Sequence, residues 1–179
     1  MKKAIREVAR ELVNLYSQPE RTDWGAIIIG TILGLIVFFA VKPVGADVLS
    51  VAQSEIGHGE YWGNNRGPYV RQYLNGRENL PWCAGFVSYC LKKSGSDLPY
   101  LLQAKSFIGY GRCVCIAELK KGDLVIFNRK GGGHVGIVET INKNSFISIE
   151  GNVGKYPAKV KRVEHNFFEV SIYRFVRLT

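Results

Sequence analysis

The chain has 179 residues, 46% of them hydrophobic and 22% charged. That balance excludes a mostly disordered chain and a multi-span membrane protein, and the length fits one domain plus a modest extension. Lys and Arg number 24 against 15 Asp and Glu, a formal net charge of +9 that points to a polyanionic neighbour: nucleic acid, anionic lipid or an anionic cell wall.

The first segment, residues 1–23, carries Lys2, Lys3, Arg6, Arg10 and Arg21 against Glu7, Glu11, Glu20 and Asp23. Ile5, Val8, Leu12 and Leu15 fall on one face of a short amphipathic helix, either solvated or lying on a membrane surface or a partner. Trp24 to Val41 (WGAIIIGTILGLIVFFAV) is 18 residues without a charge. As a helix it is about 27 Å long, near the ~30 Å of a bilayer's hydrocarbon core. A buried core helix is the poorer reading, because such helices rarely lack a strongly polar position over about five turns. A cleaved signal peptide stays open, with Val44-Gly45-Ala46 as a small-residue cleavage site. The expectation is a single transmembrane helix over 24–42. The five basic residues before it put the N-terminus in the cytoplasm and residues 43–179 outside the inner membrane. Residues 42–179 hold 19 basic and 11 acidic side chains, so most of the excess charge belongs to the exported part. The expected partner is therefore an anionic envelope and not nucleic acid.

Val44 to Gly57 reads as an amphipathic helix with Val48, Ala52 and Ile56 on one face. Glu60 to Pro68 is a Gly/Asn-rich loop, Tyr69 to Leu74 a short helix and Asn75 to Pro81 another loop. Cys83 to Lys93 has helical apolar spacing, with Lys92-Lys93 and Gly95 as stop signals. The pattern then changes. Asp123–Phe127, His134–Glu139, Ser145–Glu150, Val160–Val163 and Val170–Arg177 read as strands between Gly/Asn/Lys turns. Helices first and strands second predict an α+β domain, its N-terminal helices packed on an antiparallel β-sheet.

The cysteines are Cys83, Cys90, Cys113 and Cys115, at spacings that fit no usual zinc pattern, so no metal site is expected. In an exported protein a bridge from Cys90 to Cys113 or Cys115 is open. Cys83 follows Pro81-Trp82 at a helix start, where unpaired N–H groups favour thiolate. Cys90, mid-helix, reads as a small buried apolar side chain. His134 follows Gly131-Gly132-Gly133 and begins an apolar strand. A Cys83–His134 pair supplies nucleophile and general base. Glu150 and Asn152 end the next strand, and an adjacent antiparallel strand brings one of them to orient the imidazole. His58 and the NNRGP loop, with Tyr61, Trp62 and Arg66, either line a substrate groove or form turns. His165 lies in a basic, exposed-looking stretch and is assigned no role.

The stretch GNNRGPYVRQYLNGRENLPWCAGFVSYCLKKSG, followed by KKGDLVIF, GGGHVGIVE and FISIEGNVG, resembles the CHAP family of cysteine, histidine-dependent amidohydrolases and peptidases. These are papain-like and related to NlpC-type cell-wall peptidases, and the likeness covers roughly residues 46–178. It implies Cys83 as nucleophile, His134 as base, Glu150 as the acidic third residue and Asn152 as a further polar catalytic residue. It implies amide hydrolysis in peptidoglycan, by an N-acetylmuramoyl-L-alanine amidase or a peptide-stem endopeptidase. Some members bind calcium through an Asp-rich loop before the cysteine. Here that region has Glu55, Glu60 and Glu78 without clustered Asp, so no calcium and no other cofactor is expected. The anchor suits local wall opening in secretion, or a phage or virion lysin in the inner membrane or a virion internal membrane beside other envelope or virion membrane proteins. The rivals are a non-catalytic, membrane-anchored wall-binding or structural virion protein that keeps the fold, and a papain-like peptidase acting on proteins.

Overall fold

The computed structural model describes residues 47–178. The apolar run 24–41 and the segment before it lie outside the described residues. Among those described, no helix is long and apolar enough to cross a membrane.

Three short helices come first. Helix α1 (Val48–Ser54) buries Leu49 and Ala52, three residues apart on one face. Residues 44–46 of the predicted Val44–Gly57 lie outside the described residues; the helix ends before Gly57 because the chain leaves it at Glu55 and turns at Gly57, φ +91°. The Gly57 N–H there donates to the Val160 carbonyl at 3.0 Å. Helix α2 (Pro68–Tyr73) opens on a proline, whose missing N–H has no helical partner in the first turn anyway. Helix α3 (Cys83–Lys93) has the predicted bounds and buries every residue from Cys83 to Leu91. A helix buried on all sides must satisfy its polar groups internally. Ser88 does so by exchanging hydrogen bonds with the Leu101 carbonyl (2.8 Å) and N–H (2.9 Å).

Two 3₁₀ turns, Ala104–Tyr110 and Ile116–Glu118, flank strand β1 (Gly111–Val114). Five strands follow: β2 (Leu124–Phe127), β3 (His134–Ile141), β4 (Ser145–Val153), β5 (Lys159–Asn166) and β6 (Ile172–Leu178). They form one sheet in the order β1-β6-β2-β3-β4-β5, with antiparallel pairing throughout. The α+β class with an antiparallel sheet is therefore as the sequence predicts; only edge strand β1 is new.

Both faces of the sheet are apolar. Leu124, Ile126, Val135, Ile137 and Ile149 join the three helices in one core. Val125, Phe127, Val138 and Phe146 face the other way, into a second core with Phe167 and Phe175. This two-sided burial explains why DLVIF reads as a continuous apolar run instead of an alternating one. The Phe146 ring packs on Phe167 at 5.4 Å and on Phe175 at 5.2 Å.

Helices α2 and α3 approach backbone to backbone at Gly85, where an added Cβ would stand 2.3 Å from the Tyr73 carbonyl oxygen. Gly85→Ala is therefore expected to destabilise the fold by about 1–3 kcal/mol in denaturant unfolding. Gly109→Ala, with nothing within 4 Å of the new Cβ, is expected to stay within about 0.5 kcal/mol of the parent. Equal effects would mean that the close α2–α3 approach is not formed.

Candidate active site

Cys83 is the first residue of α3, and no acidic side chain stands in that first turn to compete for the N-terminal N–H groups. Its thiol is buried beside the Val135 and Ala84 N–H groups and the His134 imidazole. Burial pushes the thiol up, but the His134 bond and charge and the two N–H groups outweigh it and hold Cys83 below the ordinary thiol range.

His134 opens β3 directly after the β2–β3 turn. Gly131, Gly132 and Gly133 have φ of 87°, 113° and 91°, a region where L side chains are strained. At Gly133 a Cβ would also meet the Phe127 carbonyl at 2.9 Å. The glycine run thus lets the hairpin close tightly and sets His134 opposite Phe127 in the ladder.

The His134 Nε2 stands 2.7 Å from Oε2 of Glu150 on β4. That contact leaves Nδ1 for the sulfur. Glu150 is 1% exposed. Its Oε1 also accepts from the Ser148 hydroxyl (2.6 Å) and from Nε2 of His165 on β5 (2.6 Å). Gly136 lies directly opposite Glu150, and a Cβ there would come within 2.6 Å of the Glu150 Cγ. Room for the carboxylate is thus a property of the HVGIVE strand. His165 continues the line: its Nδ1 meets Oε2 of Glu169 at 2.7 Å, and Glu169 accepts from the Ser171 hydroxyl.

Charge follows this geometry. Burial disfavours the His134 imidazolium, yet Cys83 on one side and Glu150 on the other raise it to about 9. Burial pushes the Glu150 carboxyl up, yet His134, His165 and Ser148 hold it down at about 2. The two shifts, Cys83 down and His134 up, both favour a thiolate–imidazolium pair that titrates together. Cys90, seven residues along α3, is the opposite case: burial and the Glu55 charge push it up, which makes it inert.

Of the predicted catalytic residues, the structure brings Cys83, His134 and Glu150 together. Asn152 lies two residues beyond Glu150 at φ 61°, part-exposed, where β4 shifts register against β5. No hydrogen bond joins its side chain to His134 among the described residues. His165, read from sequence as exposed and without a role, is buried and bonded to Glu150. Its sequence signal is local: apolar Phe167 follows it, and Glu169 stands four residues on. All four cysteines are free, with Cys90 buried and Cys113 and Cys115 exposed, so neither bridge open to Cys90 is formed. Among the described residues, no group of three or more His, Cys, Asp or Glu side chains is arranged to hold a metal ion.

A cleft of about 340 Å³ is lined by His58, Glu60, Tyr61, Tyr69 and Lys159 among others. His58 stacks on Tyr69 at 4.0 Å and is held by Glu55 at 3.2 Å. Glu60 is buried and ties the cleft to Trp82, the residue before Cys83. It accepts from the Asn65 N–H (2.7 Å), the Ala158 N–H (2.8 Å) and Nε1 of Trp82 (3.4 Å). Tyr61 and Trp62 are 74% and 54% exposed beside it.

Residues 75–152, which include Cys83, His134, Glu150 and Asn152, match the family model for the CHAP domain. Over that stretch the chain is similar to the CHAP domain. A relative, the peptidoglycan DL-endopeptidase CwlO of Bacillus licheniformis, is 34% identical over 91 residues, which are 50% of this chain and 19% of that protein. The chain thus matches about a fifth of that relative's length. Among solved structures, a hypothetical invasion protein of Mycobacterium tuberculosis superposes with a TM-score of 0.50 at 21% identity, over 75% of this chain and 62% of that one. The peptidoglycan hydrolase RipB of the same organism gives 0.49 at 21% identity, over 75% and 64%. The first of these likenesses is one of fold, and it agrees with helices packed on an antiparallel sheet.

The buried carboxylate between His134 and His165 gives a direct test. Glu150→Gln turns one acceptor into a donor that faces a histidine N–H, with an expected loss of about 3 kcal/mol in denaturant unfolding. The sign with pH follows from the shift. A carboxyl held at about 2 against an ordinary 4.5 contributes its full stability above pH 4.5 and loses it as pH falls towards 2. The parent melting temperature is expected to fall across that window, and the variant's to fall less steeply. Parallel profiles would contradict the ion-paired carboxylate.

Proposed function

We propose that the chain is a peptidoglycan hydrolase that cuts an amide bond by a Cys–His mechanism, anchored in a membrane by residues 24–42. Residues 1–23 are then cytoplasmic, and residues 43–179 form the catalytic domain on the cell-wall side of the membrane. The observation that carries the reading is the buried His134–Glu150 pair at 2.7 Å, with Cys83 beside His134 at the start of α3. A structural or wall-binding remnant has no need to hold a thiol below its ordinary range in a buried site.

The chemistry follows from the positions. The Cys83 thiolate attacks the amide carbonyl. The oxyanion that forms lies at the start of α3, where the Cys83 backbone N–H is unpaired by the helix and donates to it. The His134 imidazolium gives its Nδ1 proton to the leaving amine, and a thioester remains on Cys83. Neutral His134 then takes a proton from water, which attacks the thioester and frees the acid and the Cys83 thiolate, so that the thiolate–imidazolium pair is restored. Glu150 accepts from Nε2 throughout, which fixes the tautomer and keeps Nδ1 at the reacting atoms.

Between the two bonds open from sequence, the likeness to an enzyme named as a DL-endopeptidase favours a peptide-stem bond over the bond from sugar to L-alanine. The exposed Tyr61 and Trp62 and the cleft by His58 offer apolar and stacking surface for the stem or glycan. The excess of basic over acidic side chains in residues 42–179 supports association with anionic wall polymers.

The test is to incubate the purified full chain with peptidoglycan under reducing conditions and to identify the fragments by mass spectrometry. New amino termini within the stem are expected, and Cys83→Ala is expected to lower their rate by at least about 10³-fold. No new amino groups with the parent chain, or equal rates with the variant, would overturn the reading. Binding to isolated walls is expected to weaken as salt is raised, because the attraction is screened within about 10 Å at 0.1 M. A reporter fused after Thr179 is expected to be active only outside the cytoplasm; cytoplasmic activity would reverse the orientation.

A further inference from the structure

His165 is 5% exposed on a strand otherwise rich in exposed charge, and both its ring nitrogens are committed. Nε2 lies 2.6 Å from Glu150 Oε1 and Nδ1 lies 2.7 Å from Glu169 Oε2. A neutral imidazole has one N–H and cannot donate to two carboxylates; an imidazolium can. We infer that His165 is a positioning residue of the hydrolytic site, an imidazolium wedged between Glu150 and Glu169 that keeps Glu150 a fixed anionic acceptor for His134 through turnover.

The reason lies in the cycle of His134, and the inference rests on the Cys83 hydrolase reading. When His134 gives its Nδ1 proton to the leaving amine, Glu150 loses its cationic partner. A carboxylate buried to that extent then either binds a proton or turns away unless a second charge holds it. His165 supplies that charge on the opposite oxygen, with Ser148 beside it. Glu150 therefore keeps its place, and His134 keeps its Nε2 proton for the water step.

The groups around His165 are consistent with this role. Glu150 faces it from β4 and Glu169 from the turn after β5, while His134 on β3 acts through Glu150. Arg129, in the β2–β3 turn, lowers Glu169 further and lies over the Phe127 ring at 4.9 Å. Phe127 (4.7 Å) and Phe146 (5.3 Å) cover the imidazole without charge. Burial opposes the His165 charge, and the Glu150 and Glu169 hydrogen bonds raise it nonetheless. Counted together, the thiolate and two carboxylates are balanced by His134, His165 and the nearby Arg129. Removing the His165 charge leaves a net negative cluster that opposes formation of the thiolate.

The experiment follows iodoacetamide labelling of Cys83 in the full chain across about pH 4–9, with the Cys83 peptide resolved from the other three by mass spectrometry. In His165→Gln the labelling midpoint is expected to move up by about one pH unit, with the plateau rate little changed. A midpoint that stays put in a folded variant would overturn the inference, since a residue with only a packing role leaves it unmoved. Should the variant fail to fold, the parent decides. With ¹⁵N-labelled histidine at about pH 7, His165 is expected to carry protons on both ring nitrogens, and a single ring proton would overturn the inference. Peptidoglycan turnover is scored separately. If the midpoint moves while peptidoglycan stays intact, the substrate reading fails and the positioning of the thiol–imidazole pair stands.

Discussion

The site depends on one carboxylate that the protein keeps charged in its interior. Glu150 is almost without solvent, and an unpaired charge there would be neutralised by a proton instead of being carried. Three donors from three directions prevent this: His134 from β3, Ser148 from β4 itself and His165 from β5. Three adjacent antiparallel strands are thus the scaffold of one acceptor. Gly136 makes the arrangement sterically allowed, because any side chain opposite Glu150 would occupy the carboxylate's place. The second aromatic core, Phe127 and Phe146 in particular, excludes water from the same face.

The other half of the site is the start of α3. A helix N-terminus offers N–H groups without helical partners, and the thiol at that point becomes a thiolate in proportion to the donors it meets. The contrast with Cys90 on the same helix shows that position and not residue type sets reactivity. The Cys90 thiol is equally buried, sees Glu55 and no cation, and is driven the other way. Gly85 and Gly151 set how closely the helix is held. A Cβ at Gly151 would strike Phe86 and the Trp82 ring, so β4 passes directly against the first turn of α3. The strand that bears Glu150 therefore also braces the helix that bears Cys83.

Much of this was legible before the structure because the signals are local. The Cys83–Lys93 helix announces itself by apolar spacing and stop residues, and the central strands by short apolar runs between turn residues. The Cys–His–Glu line was legible because strand order follows chain order over β3 and β4, so neighbours in sequence are neighbours in the sheet. What escaped depends on less local facts. Strand β1 (GRCV) is a mostly exposed edge strand with little apolar content, and it pairs with the C-terminal β6 and not with a neighbour in sequence. His165 is surrounded by exposed Lys and Glu on β5, and its burial is decided by Phe127 and Phe146 on other strands. Asn152 follows in IEGN past a register shift of β4 against β5, and the carboxylate on the imidazole is Glu150.

On the mechanism proposed above, Cys83 rests as a thiolate because a buried, charged Glu150 holds His134 as an imidazolium. The most direct measurement is the ultraviolet absorbance of the thiolate across pH, taken as the difference between the parent chain and Cys83→Ala. The difference is expected to develop at a pH below the ~8.5 of a free cysteine. A difference that appears only as the pH passes about 8.5 would contradict it.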